Sequence, residues 1–442
     1  MDPNTKYLTF LPHSGFHNQR TELENALLLA RLLNRTLILP KVYLGPPMPW
    51  LTFRQLHARL LYQTKIGLEH CRAIIEGQKE KEHDEAPLPA ACLQYESWTM
   101  TDWDLFFDLN PLRRYVRILT RDSMAMTYLA ARFNLTIPTE EVTNMPNLYD
   151  YRFTENPMAN ESIRTRPKFR QEFTIEWLKG RPERLIHLGS IFGTGRISID
   201  SLESKAWLLM IRDHLILQTD ILQTTTSFLD SMEVGFVGVH VRMSDGHFSL
   251  AARDTIENIR QELILTIEQC RALALNHHRK LQNQLRQQQQ WQQQQPAQPP
   301  PYPIHYHEQQ QDQRAFTPSE ATPSDKNLLS NSPSVRKLRR SNGRFTPIYL
   351  ATDAHQPRAN PIFNRLFRTF DCVFSLDDFS EDLEVLHQFR NPEDGTLMAN
   401  FLIPMVDAMV VAKSAAFFGT PASTFSNYIQ RQLRPAYTGL YD

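Results

Sequence analysis

The chain has 442 residues, of which 41% are hydrophobic and 22% are charged, and its 48 Lys and Arg residues balance its 48 Asp and Glu residues. These values are typical of a globular protein long enough for two domains, and the zero net charge argues against a surface for nucleic acid or an anionic membrane. No apolar run reaches the length of a membrane span, and the N-terminus has no secretory signal pattern. We therefore expect a cytosolic protein, or one whose leader or membrane anchor precedes this chain.

The cysteines and the glycosylation sequons leave the compartment open. Four widely spaced cysteines form no CxxC motif and no His/Cys cluster: Cys71, Cys92, Cys270 and Cys372. This pattern predicts no metal site, and it permits two disulfides without requiring them. Sequons at Asn34, Asn134 and Asn160 are compatible with a lumenal protein, although Asn34 lies in a tight helix-to-strand turn.

The N-terminal segment predicts a strand, a loop, a helix and a second strand. Tyr7–Leu11 is the first apolar strand, the helix runs to about Leu33, and Thr36–Leu39 is the second strand. Thr21 and Glu24 have the spacing of a capping box, so we expect the helix to begin there.

The loop Pro12–Arg20, with the sequence PHSGFHNQR, lies between that strand and that helix. Gly15 permits close approach of a ligand to the backbone. Asn18 and Arg20 lie at the helix entrance, where free N–H groups and the helix dipole favour an anion. The alternative is an ordinary polar cap before an amphipathic helix.

The middle of the chain gives weaker signals. Asp102 and Asp104 have the DxD spacing with which some enzymes hold a metal ion and a nucleotide diphosphate. No further ligand is near them in the sequence, so a solvated turn is the preferred interpretation, and the pair Asp377 and Asp378 is interpreted in the same way.

Arg184–Leu188 predicts a further strand, and the glycine-containing segment Gly189–Arg196, GSIFGTGR, follows it. This segment can contact phosphate or acceptor, or it can form a hinge, and we favour a structural role. Trp207–Gln223 predicts a helix, after which we place a domain boundary, with domains at residues 1–225 and 226–442.

The stretch Gly235–Asp245, GFVGVHVRMSD, has the branched apolar residues of a strand that is buried on both faces. His240 and Arg242 flank Val241 and therefore point to one face near the carboxyl end of the strand. An arginine there is well placed to hold a phosphate, because its guanidinium is always charged and binds two oxygens at once. The alternative is a charged strand end that leads into a solvated turn.

The composition changes abruptly after the next helix. Thr255–Arg279 has helical apolar spacing, whereas residues 281–343 are rich in Gln, Pro and Ser. Such a segment buries too little apolar surface to offset the entropy of ordering, so we predict a disordered insertion within the second domain.

The C-terminal elements also end in polar groups. They are predicted at Pro347–Leu350, Asp371–Phe374, Ala399–Ala412, Ala416–Phe418 and Asn427–Leu433. Thr352 and Asp353 follow the first of these strands, where a carboxylate can accept hydrogen bonds from a ribose or a base, or can cap a helix. Ser423 and Thr424, in the loop GTPASTFS, precede the last helix and offer either a second anion site or an ordinary cap.

Four strand ends therefore carry groups that suit an anion or a nucleotide, one in the first predicted domain and three in the second. The expected fold is α/β, with two Rossmann-like domains that face a cleft and a nucleotide held mainly by the second. This is the GT-B arrangement.

At these positions the sequence resembles a known family. GFHNQR followed by ENALLLARLLNRTLILP is similar to the first motif of GDP-fucose protein O-fucosyltransferases and their fungal and plant relatives, and GVHVRMSD is similar to their HxR motif. YLATD is similar to the acidic strand end that follows, and FFGTPASTFS to the C-terminal loop. The resemblance covers both ends and the middle of the chain and leaves out the Gln-rich insertion.

The resemblance implies an inverting, metal-independent transfer of fucose from GDP-fucose to a hydroxyl of a protein or glycan, without a cofactor, in the lumen of the endoplasmic reticulum or Golgi. It implies that Arg242 holds the β-phosphate, that Asn18 lies near the scissile bond and that Asp353 contacts the nucleoside. The implied donor site further includes Gly15, Phe16, His17, His240, Thr352, Ser423, Thr424 and Phe425.

The first loop departs from the family pattern. Some relatives have a glutamate just before the Gly-Phe-Asn of this loop, where it serves as the base, and here Ser14 stands in that place. His13 or His17 is then the candidate base, or the reaction has no dedicated base. Two other functions stay open: a transferase that uses another nucleotide sugar, and a non-catalytic protein that binds a GDP-sugar.

Overall fold

The computed structural model describes residues 4–79, 87–136, 142–145, 151–156, 169, 171–226, 235–243, 246–293 and 346–440, and all structural statements concern these residues. The predicted insertion at residues 281–343 lies outside them, except that residues 281–293 continue a long helix. The sequon at Asn160 also lies outside them.

The strands are short and alternate with helices along much of the chain. They are β1 (Tyr7–Thr9), β2 (Thr36–Pro40), β3 (Val42–Leu44), β4 (Thr99–Thr101), β5 (Ile118–Arg121), β6 (Val142–Met145), β7 (Tyr151–Thr154), β8 (Gln171–Thr174), β9 (Leu185–Leu188), β10 (Ile197–Ser198), β11 (Val237–Val241), β12 (Ile348–Thr352), β13 (Val373–Phe374) and β14 (Ala416–Gly419).

The α-helices are α1 (Phe16–Leu33), α2 (Phe53–Tyr62), α3 (Glu69–Lys79), α4 (Asn110–Arg113), α5 (Met126–Phe133), α6 (Ile175–Lys179), α7 (Leu202–His214), α8 (Asp220–Thr225), α9 (Gly246–Gln293), α10 (Asn364–Thr369), α11 (Glu384–Gln388), α12 (Ala399–Ala412), α13 (Thr424–Tyr428) and α14 (Arg434–Thr438). A π-helical turn, Ile429–Leu433, joins α13 to α14, so the chain is helical from Thr424 to Thr438.

The N-terminal part is built on a five-stranded sheet with the order β5-β2-β1-β9-β6. Every pairing in this sheet is parallel, and Tyr7 in β1 pairs with Thr36 in β2 and with Leu185 in β9. Because the strands run in one direction, the loops after β1, β2 and β9 leave from the same edge. Two small sheets accompany it, the parallel β10-β7-β8 sheet and the antiparallel β3-β4 ribbon.

The C-terminal part is built on a second parallel sheet, with the order β13-β12-β11-β14. The fully buried β11 lies inside it, and Val237 pairs with Ile348 on one side and Ala416 on the other. Gly238 lets the end of α12 approach this strand, because a Cβ there would lie 2.7 Å from Ser414 Oγ and 2.9 Å from the Val411 carbonyl oxygen. The fold is therefore α/β with parallel sheets, as the sequence predicts.

One hydrophobic core connects the two sheets. It extends from Phe10 and Leu27 in the N-terminal part to Val406 and Tyr428 in the C-terminal part, all of them almost fully buried. Arg20 on α1 lies over the ring of Tyr428 at 4.2 Å and donates a hydrogen bond to Gln432 Oε1 at 3.1 Å. These contacts fix α1 against the C-terminal helical run, and the boundary between residues 225 and 226 stays a prediction.

Several predicted helix limits are wrong. α9 runs from Gly246 to Gln293 instead of Thr255–Arg279, and the last helical run begins at Thr424 instead of Asn427. α1 begins at Phe16 with Gly15 as its N-cap, and the predicted capping residue Thr21 lies inside the helix and donates its hydroxyl hydrogen to the His17 carbonyl. The predicted helix Trp207–Gln223 is divided into α7 and α8. The chain leaves the helix at Leu215 because the carbonyls of Leu215 and Leu217 accept hydrogen bonds from tyrosine hydroxyls of the C-terminal run.

Candidate nucleotide-sugar site

A cavity of about 630 Å³ lies between the start of α1 and the carboxyl ends of β11 and β12. Its N-terminal wall consists of Ser14, Gly15, Phe16, His17, Asn18 and Pro47. The opposite wall includes His240, Arg242, Thr352, Asp353, Thr424, Phe425 and residues of α12. The structure thus places the predicted site residues around one cavity, with the exception of Ser423.

The first loop is held in a strained turn at the mouth of this cavity. Ser14 has a φ of 65°, in the left-handed region that residues other than glycine rarely adopt. Its hydroxyl accepts a hydrogen bond from Asn18 Nδ2 at 2.7 Å. Gly15 has an ordinary φ of −88°, and a Cβ there would meet only Pro47 Cγ, at 3.9 Å. The protein itself therefore leaves open space at Gly15, consistent with close approach of a ligand.

Asn18 presents an unused acceptor. Its Oδ1 atom is buried and has no hydrogen-bond partner among the described residues, although its amide nitrogen is held by Ser14. A buried acceptor without a partner costs about 1–3 kcal/mol. A hydroxyl or amine of a bound molecule can remove this cost, so Asn18 is suited to orient a ligand.

His17 lies between the two walls and is almost fully buried. Its ring contacts the rings of Phe425 and Tyr428, with centroid distances of 4.8 and 5.3 Å. Burial, followed by electrostatic interactions with Arg20, His240 and Arg242, lowers the pKa of His17 well below its usual value. The imidazole is therefore neutral at pH 7 and can accept a hydrogen bond or a proton.

His13 points away from the cavity, toward Trp50 and Phe192. Burial and the charge of Arg196 lower its pKa to about 4. Its backbone N–H donates to Glu22 Oε2 at 2.9 Å, and burial raises the pKa of that carboxyl to about 8. Glu22 thus anchors the loop from behind, and of the two candidate bases only His17 lines the cavity.

His240 and Arg242 stand at the end of β11, as the sequence predicts. His240 stacks on Phe425 at 4.3 Å between centroids and shares a 2.7 Å hydrogen bond between its Nδ1 and Ser426 Oγ. Its burial lowers the pKa of His240 to about 3, with a smaller opposing effect of Asp353. Arg242 lies over the ring of Phe248 at 4.6 Å and lines the cavity. The cavity therefore has a fixed positive charge beside a neutral imidazole.

The next strand end carries Thr352 and Asp353. Asp353 Oδ1 accepts a hydrogen bond from the Met243 backbone N–H at 2.7 Å, which ties the end of β12 to the end of β11. Thr352 Oγ1 accepts from the Ala354 N–H at 3.2 Å. Both residues line the cavity beside Arg242.

The C-terminal loop is partly different from the prediction. Thr424 and Phe425 line the cavity at the start of the helical run, where backbone N–H groups lack intrahelical acceptors. Ser423 is fully buried, and its hydroxyl accepts a hydrogen bond from the Ser426 N–H at 3.4 Å. The Ser423 hydroxyl is therefore an ordinary helix cap, which was the alternative to an anion site at this position.

Sequence reasoning missed the contribution of α12. Asn400, Ile403, Pro404 and Asp407 line the cavity from this helix. Burial raises the pKa of Asp407 to about 7, and the Tyr349 hydroxyl donates to its Oδ1 at 2.7 Å. Asp377, which the sequence assigned to a solvated pair, also lines the cavity. The sequence signal for Asp407 is one charged residue in an otherwise apolar helix, and this does not show which face of the helix meets the cavity.

Other candidate groups lie elsewhere. Asp104 pairs with Arg113 at 3.0 Å, outside the cavity. Arg196 donates hydrogen bonds to the carbonyls of Phe192 and Tyr151, which agrees with the structural role favoured for its segment. Arg20, predicted at an anion site, is used in the contact with Tyr428 and Gln432.

Cys71 and Cys92 form a disulfide, and Cys372 is a free thiol. His70 lies close to both bonded sulfurs, at 3.7 and 3.8 Å from its Nε2. Because the two sulfurs are bonded to each other, they are not thiolate ligands for a metal. Among the described helices, none has the length and apolarity that crossing a membrane requires.

The geometry is that of a ligand cavity in an α/β protein, with a cationic side chain and acidic side chains at the carboxyl ends of parallel strands. Comparison with known proteins gives the family: a model of GDP-fucose protein O-fucosyltransferase matches residues 88–435. The chain belongs to the GDP-fucose protein O-fucosyltransferase family. The matched range includes Arg242 and the C-terminal loop and begins after the first loop.

The individual similar proteins either match a short stretch of the chain or have low sequence identity to it. O-fucosyltransferase 30 of Arabidopsis thaliana is 60% identical over 37 residues, which are 8% of this chain and 7% of that protein. A crystal structure of POFUT1 in complex with GDP has 14% sequence identity and a TM-score of 0.39, covering 100% of this chain and 97% of that chain. A crystal structure of POFUT1 in complex with GDP-fucose has 14% identity and a TM-score of 0.38 over the same shares.

Proposed function

We propose that this chain is a glycosyltransferase that moves fucose from GDP-fucose to a hydroxyl of a protein or glycan acceptor, by an inverting and metal-independent reaction. The observation that carries the proposal is the position of Asn18 and Arg242 on opposite walls of one cavity. A donor that spans the cavity then has its diphosphate at the C-terminal wall and its sugar toward the N-terminal wall. We assign the fold to the GT-B arrangement on the same grounds.

The diphosphate is held by Arg242 and the start of the C-terminal helical run. When the acceptor hydroxyl attacks the anomeric carbon, the bond to the β-phosphate breaks and negative charge grows on the leaving GDP. Arg242 and the N–H groups near Thr424 and Phe425 are fixed in place before the reaction, so they stabilise this charge without reorganising. This preorganised positive charge has the role that a divalent cation has in metal-dependent transferases.

The nucleoside is held by the acidic side chains of the C-terminal wall. Guanine has two adjacent donors, N1–H and the N2 amino group, which suit a single carboxylate. Asp407 lines the cavity from α12, and its burial limits the access of water to such a pair. Asp353, at the end of β12, is suited to the ribose hydroxyls.

The sugar and the acceptor lie against the N-terminal wall. Asn18 offers its buried Oδ1 to a sugar or acceptor hydroxyl. His17 is the residue of this wall that can receive the acceptor proton, although its low pKa makes it a weak base. The two phosphates of the donor bring negative charge near His17, which raises the proton affinity of the imidazole during the reaction.

The compartment we propose is the lumen of the secretory pathway. The disulfide between Cys71 and Cys92 is of a kind that persists in oxidising compartments. The sequon residues Asn34 and Asn134 are exposed at the ends of α1 and α5.

The test is calorimetry of the full chain with GDP, GDP-fucose, GDP-mannose and UDP, followed by assays of GDP release with and without a chelator. Binding of GDP and GDP-fucose with chelator-resistant GDP release supports the proposal. Preference for another nucleotide sugar favours the second function, and GDP-fucose binding without turnover on any protein or glycan acceptor favours the non-catalytic one. Loss of turnover with the chelator would overturn metal independence.

A further inference from the structure

The two walls of the cavity are connected by the β3-β4 ribbon, which we call the spacer. On the N-terminal side, Gln19 on α1 pairs with the backbone of Tyr43 as a neighbouring strand would. Gln19 Nε2 donates to the Tyr43 carbonyl at 2.8 Å, and the Tyr43 N–H donates to Gln19 Oε1 at 2.9 Å. Gln19 directly follows Asn18, so the spacer is fixed to the wall that carries Asn18.

The second strand of the spacer is fixed to the C-terminal part. Tyr43 in β3 pairs with Met100 in β4. The Met100 carbonyl accepts a hydrogen bond from Asn391 Nδ2 at 2.8 Å, and Thr99 Oγ1 accepts one from the same amide at 2.7 Å. The spacer is therefore two strands wide, which sets a separation of about 4.8 Å between its strands.

Asn391 belongs to the 390–397 loop, which leads directly into α12. The loop is closed on itself by hydrogen bonds between Asn391 and Thr396 and between Met398 and Phe389. The Leu397 N–H also donates to Glu96 Oε2, next to β4, at 2.7 Å. α12 begins two residues after the loop, and its first turns carry Asn400 and Ile403 into the cavity wall.

A buried ion pair joins this loop to the segment after α2, and its carboxylate also contacts the spacer. Lys65 Nζ lies 2.9 Å from Asp394 Oδ2, with side-chain exposures of 7% and 17%. The same carboxylate oxygen accepts a hydrogen bond from Thr99 Oγ1 at 2.7 Å, and Lys65 also lies 4.4 Å from the centre of the Tyr95 ring. Breaking such a pair leaves a partly buried charge without its counter-ion, which is costly.

A second ion pair, between Lys41 and a carboxylate of the same loop, provides a comparison. Lys41 Nζ lies 2.6 Å from Glu393 Oε2, but Glu393 is 41% exposed. Pairs of this kind contribute little to stability because water screens them. Asp394 is thus held by a buried ion pair, whereas its neighbour Glu393 is held by an ion pair at the surface.

We propose that Lys65, with Asn391, is a positioning residue for sugar transfer: the loop and the spacer hold α12 at a fixed distance from the start of α1. The proposal rests on the proposed function, since it concerns the distance between the walls that hold donor and acceptor. Neither residue lines the cavity, so both act through the elements that do. A displacement of about 1 Å at a reacting group can cost about 100-fold in rate.

The experiment compares Lys65→Met with Lys41→Met in the full chain. Both substitutions keep an unbranched side chain that is one atom shorter and remove its charge, one at the buried pair and one at the exposed pair. For each variant, kcat, the KM for donor and acceptor, GDP affinity by calorimetry and Tm are measured. We expect Lys65→Met to lower kcat by about 10-fold or more while GDP affinity is kept, and Lys41→Met to match the parent. Asn391→Asp, which removes both donated hydrogen bonds, is expected to behave like Lys65→Met.

Hydrogen exchange on the same proteins separates failure of this proposal from failure of the proposed function. Lys65→Met is expected to speed exchange at residues 15–20 and 398–404, in both walls, whether or not the parent transfers fucose. If Lys65→Met lowers Tm but leaves kcat per folded molecule at the parental value, Lys65 only stabilises the fold and the positioning role is wrong. Unchanged exchange in either wall would contradict the spacer itself. An inactive parent that binds no GDP instead contradicts the proposed function.

Discussion

The ring of His17 packs edge-on against the ring of Phe425, with their centroids 4.8 Å apart. Phe425 stacks in turn on His240. Three aromatic rings, from the start of α1, the start of α13 and the end of β11, thus contact one another in series along the cavity lining. Because this series includes both parts of the chain, it aligns the wall that holds Asn18 with the wall that holds Arg242.

Arg242→Ala is expected to lower kcat for GDP-fucose by about 10²–10³-fold, because the charge on the leaving phosphate loses its fixed partner. The kcat of Arg242→Lys is expected to lie between those of Arg242→Ala and the parent, since an ammonium keeps the charge without the bidentate contact. Steady-state assays of GDP release measure both. Arg365→Ala serves as the control, because that side chain is 81% exposed and lies outside the cavity. If Arg242→Ala keeps the kcat/KM of the parent, Arg242 has no role in the reaction.

Asn18→Ala is expected to lower kcat/KM for GDP-fucose by about 10- to 100-fold, the loss of a hydrogen bond to a buried acceptor. Its affinity for GDP alone is expected to stay parental, since the contacts proposed for GDP lie on the opposite wall. Ser14→Ala keeps the Asn18 amide but removes its 2.7 Å anchor, so a smaller loss is expected. Calorimetry with GDP beside steady-state kinetics gives the comparison, and a parallel fall in GDP affinity for Asn18→Ala would contradict this assignment.

His17→Ala is expected to lower kcat and to alter the acid limb of the pH–rate profile, because the neutral imidazole in the cavity is the available proton acceptor. His13→Ala is the matched comparison, since that ring lies outside the cavity against Trp50. It is expected to reduce Tm and to leave turnover per folded molecule near the parental value. If both variants keep full turnover, neither histidine is the base and the reaction has no dedicated one.

The sheet that carries His240 and Arg242 was predictable because its signals are local. β11, β12 and β14 are continuous apolar runs that end in polar residues, and parallel pairing brings those ends to one edge. α12 has the predicted limits, Ala399–Ala412, because an apolar run of this length is clear in the sequence. The positions of His240, Arg242 and Asp353 follow from these elements.

What could not be predicted depends on contacts between distant segments. The face of α12 that lines the cavity is hidden in a helix that is apolar on nearly every side, so the role of Asp407 was not visible. The β3-β4 ribbon pairs strands whose residues are far apart in the sequence. The Ser423 hydroxyl is buried as a helix cap, and the preceding Ala422 has a left-handed φ of 60°, which sequence patterns do not specify.

The proposed lumenal localisation predicts glycans at the exposed sequons. Expressed in a eukaryotic secretory host, the chain is expected to lose mass on glycosidase treatment, and Asn34→Gln and Asn134→Gln are each expected to remove one glycan. Turnover is expected to be unchanged, because both residues lie at the ends of helices away from the cavity lining. Mass spectrometry checks the occupancy. Two bare sequon sites together with free thiols at Cys71 and Cys92 would contradict the lumenal assignment.

Asp407→Asn is expected to change how stability depends on pH. Burial raises the pKa of Asp407 from 3.8 to about 7, so the folded protein binds a proton more tightly than the unfolded chain. The stabilising contribution of this proton is complete below about pH 3.8 and is lost as pH rises toward 7. The variant has no such proton to lose, and its free energy of unfolding should fall less across this range, by an amount on the order of a few kcal/mol. Urea unfolding at several pH values measures the difference between variant and parent, which cancels the similar contribution of Glu22.

The raised pKa of Asp407 also leads to a prediction for the pH dependence of nucleotide binding. Guanine donors need the ionised carboxylate, so GDP affinity in the parent should rise as pH increases through about 7, where Asp407 loses its proton. Asp407→Asn should bind GDP more weakly and without this rise. Tyr349→Phe removes the hydroxyl that donates to the carboxylate, so the rise should move to higher pH. Calorimetry from pH 6 to pH 8 follows all three proteins, and a GDP affinity in Asp407→Asn equal to that of the parent at every pH would show that the base is held elsewhere.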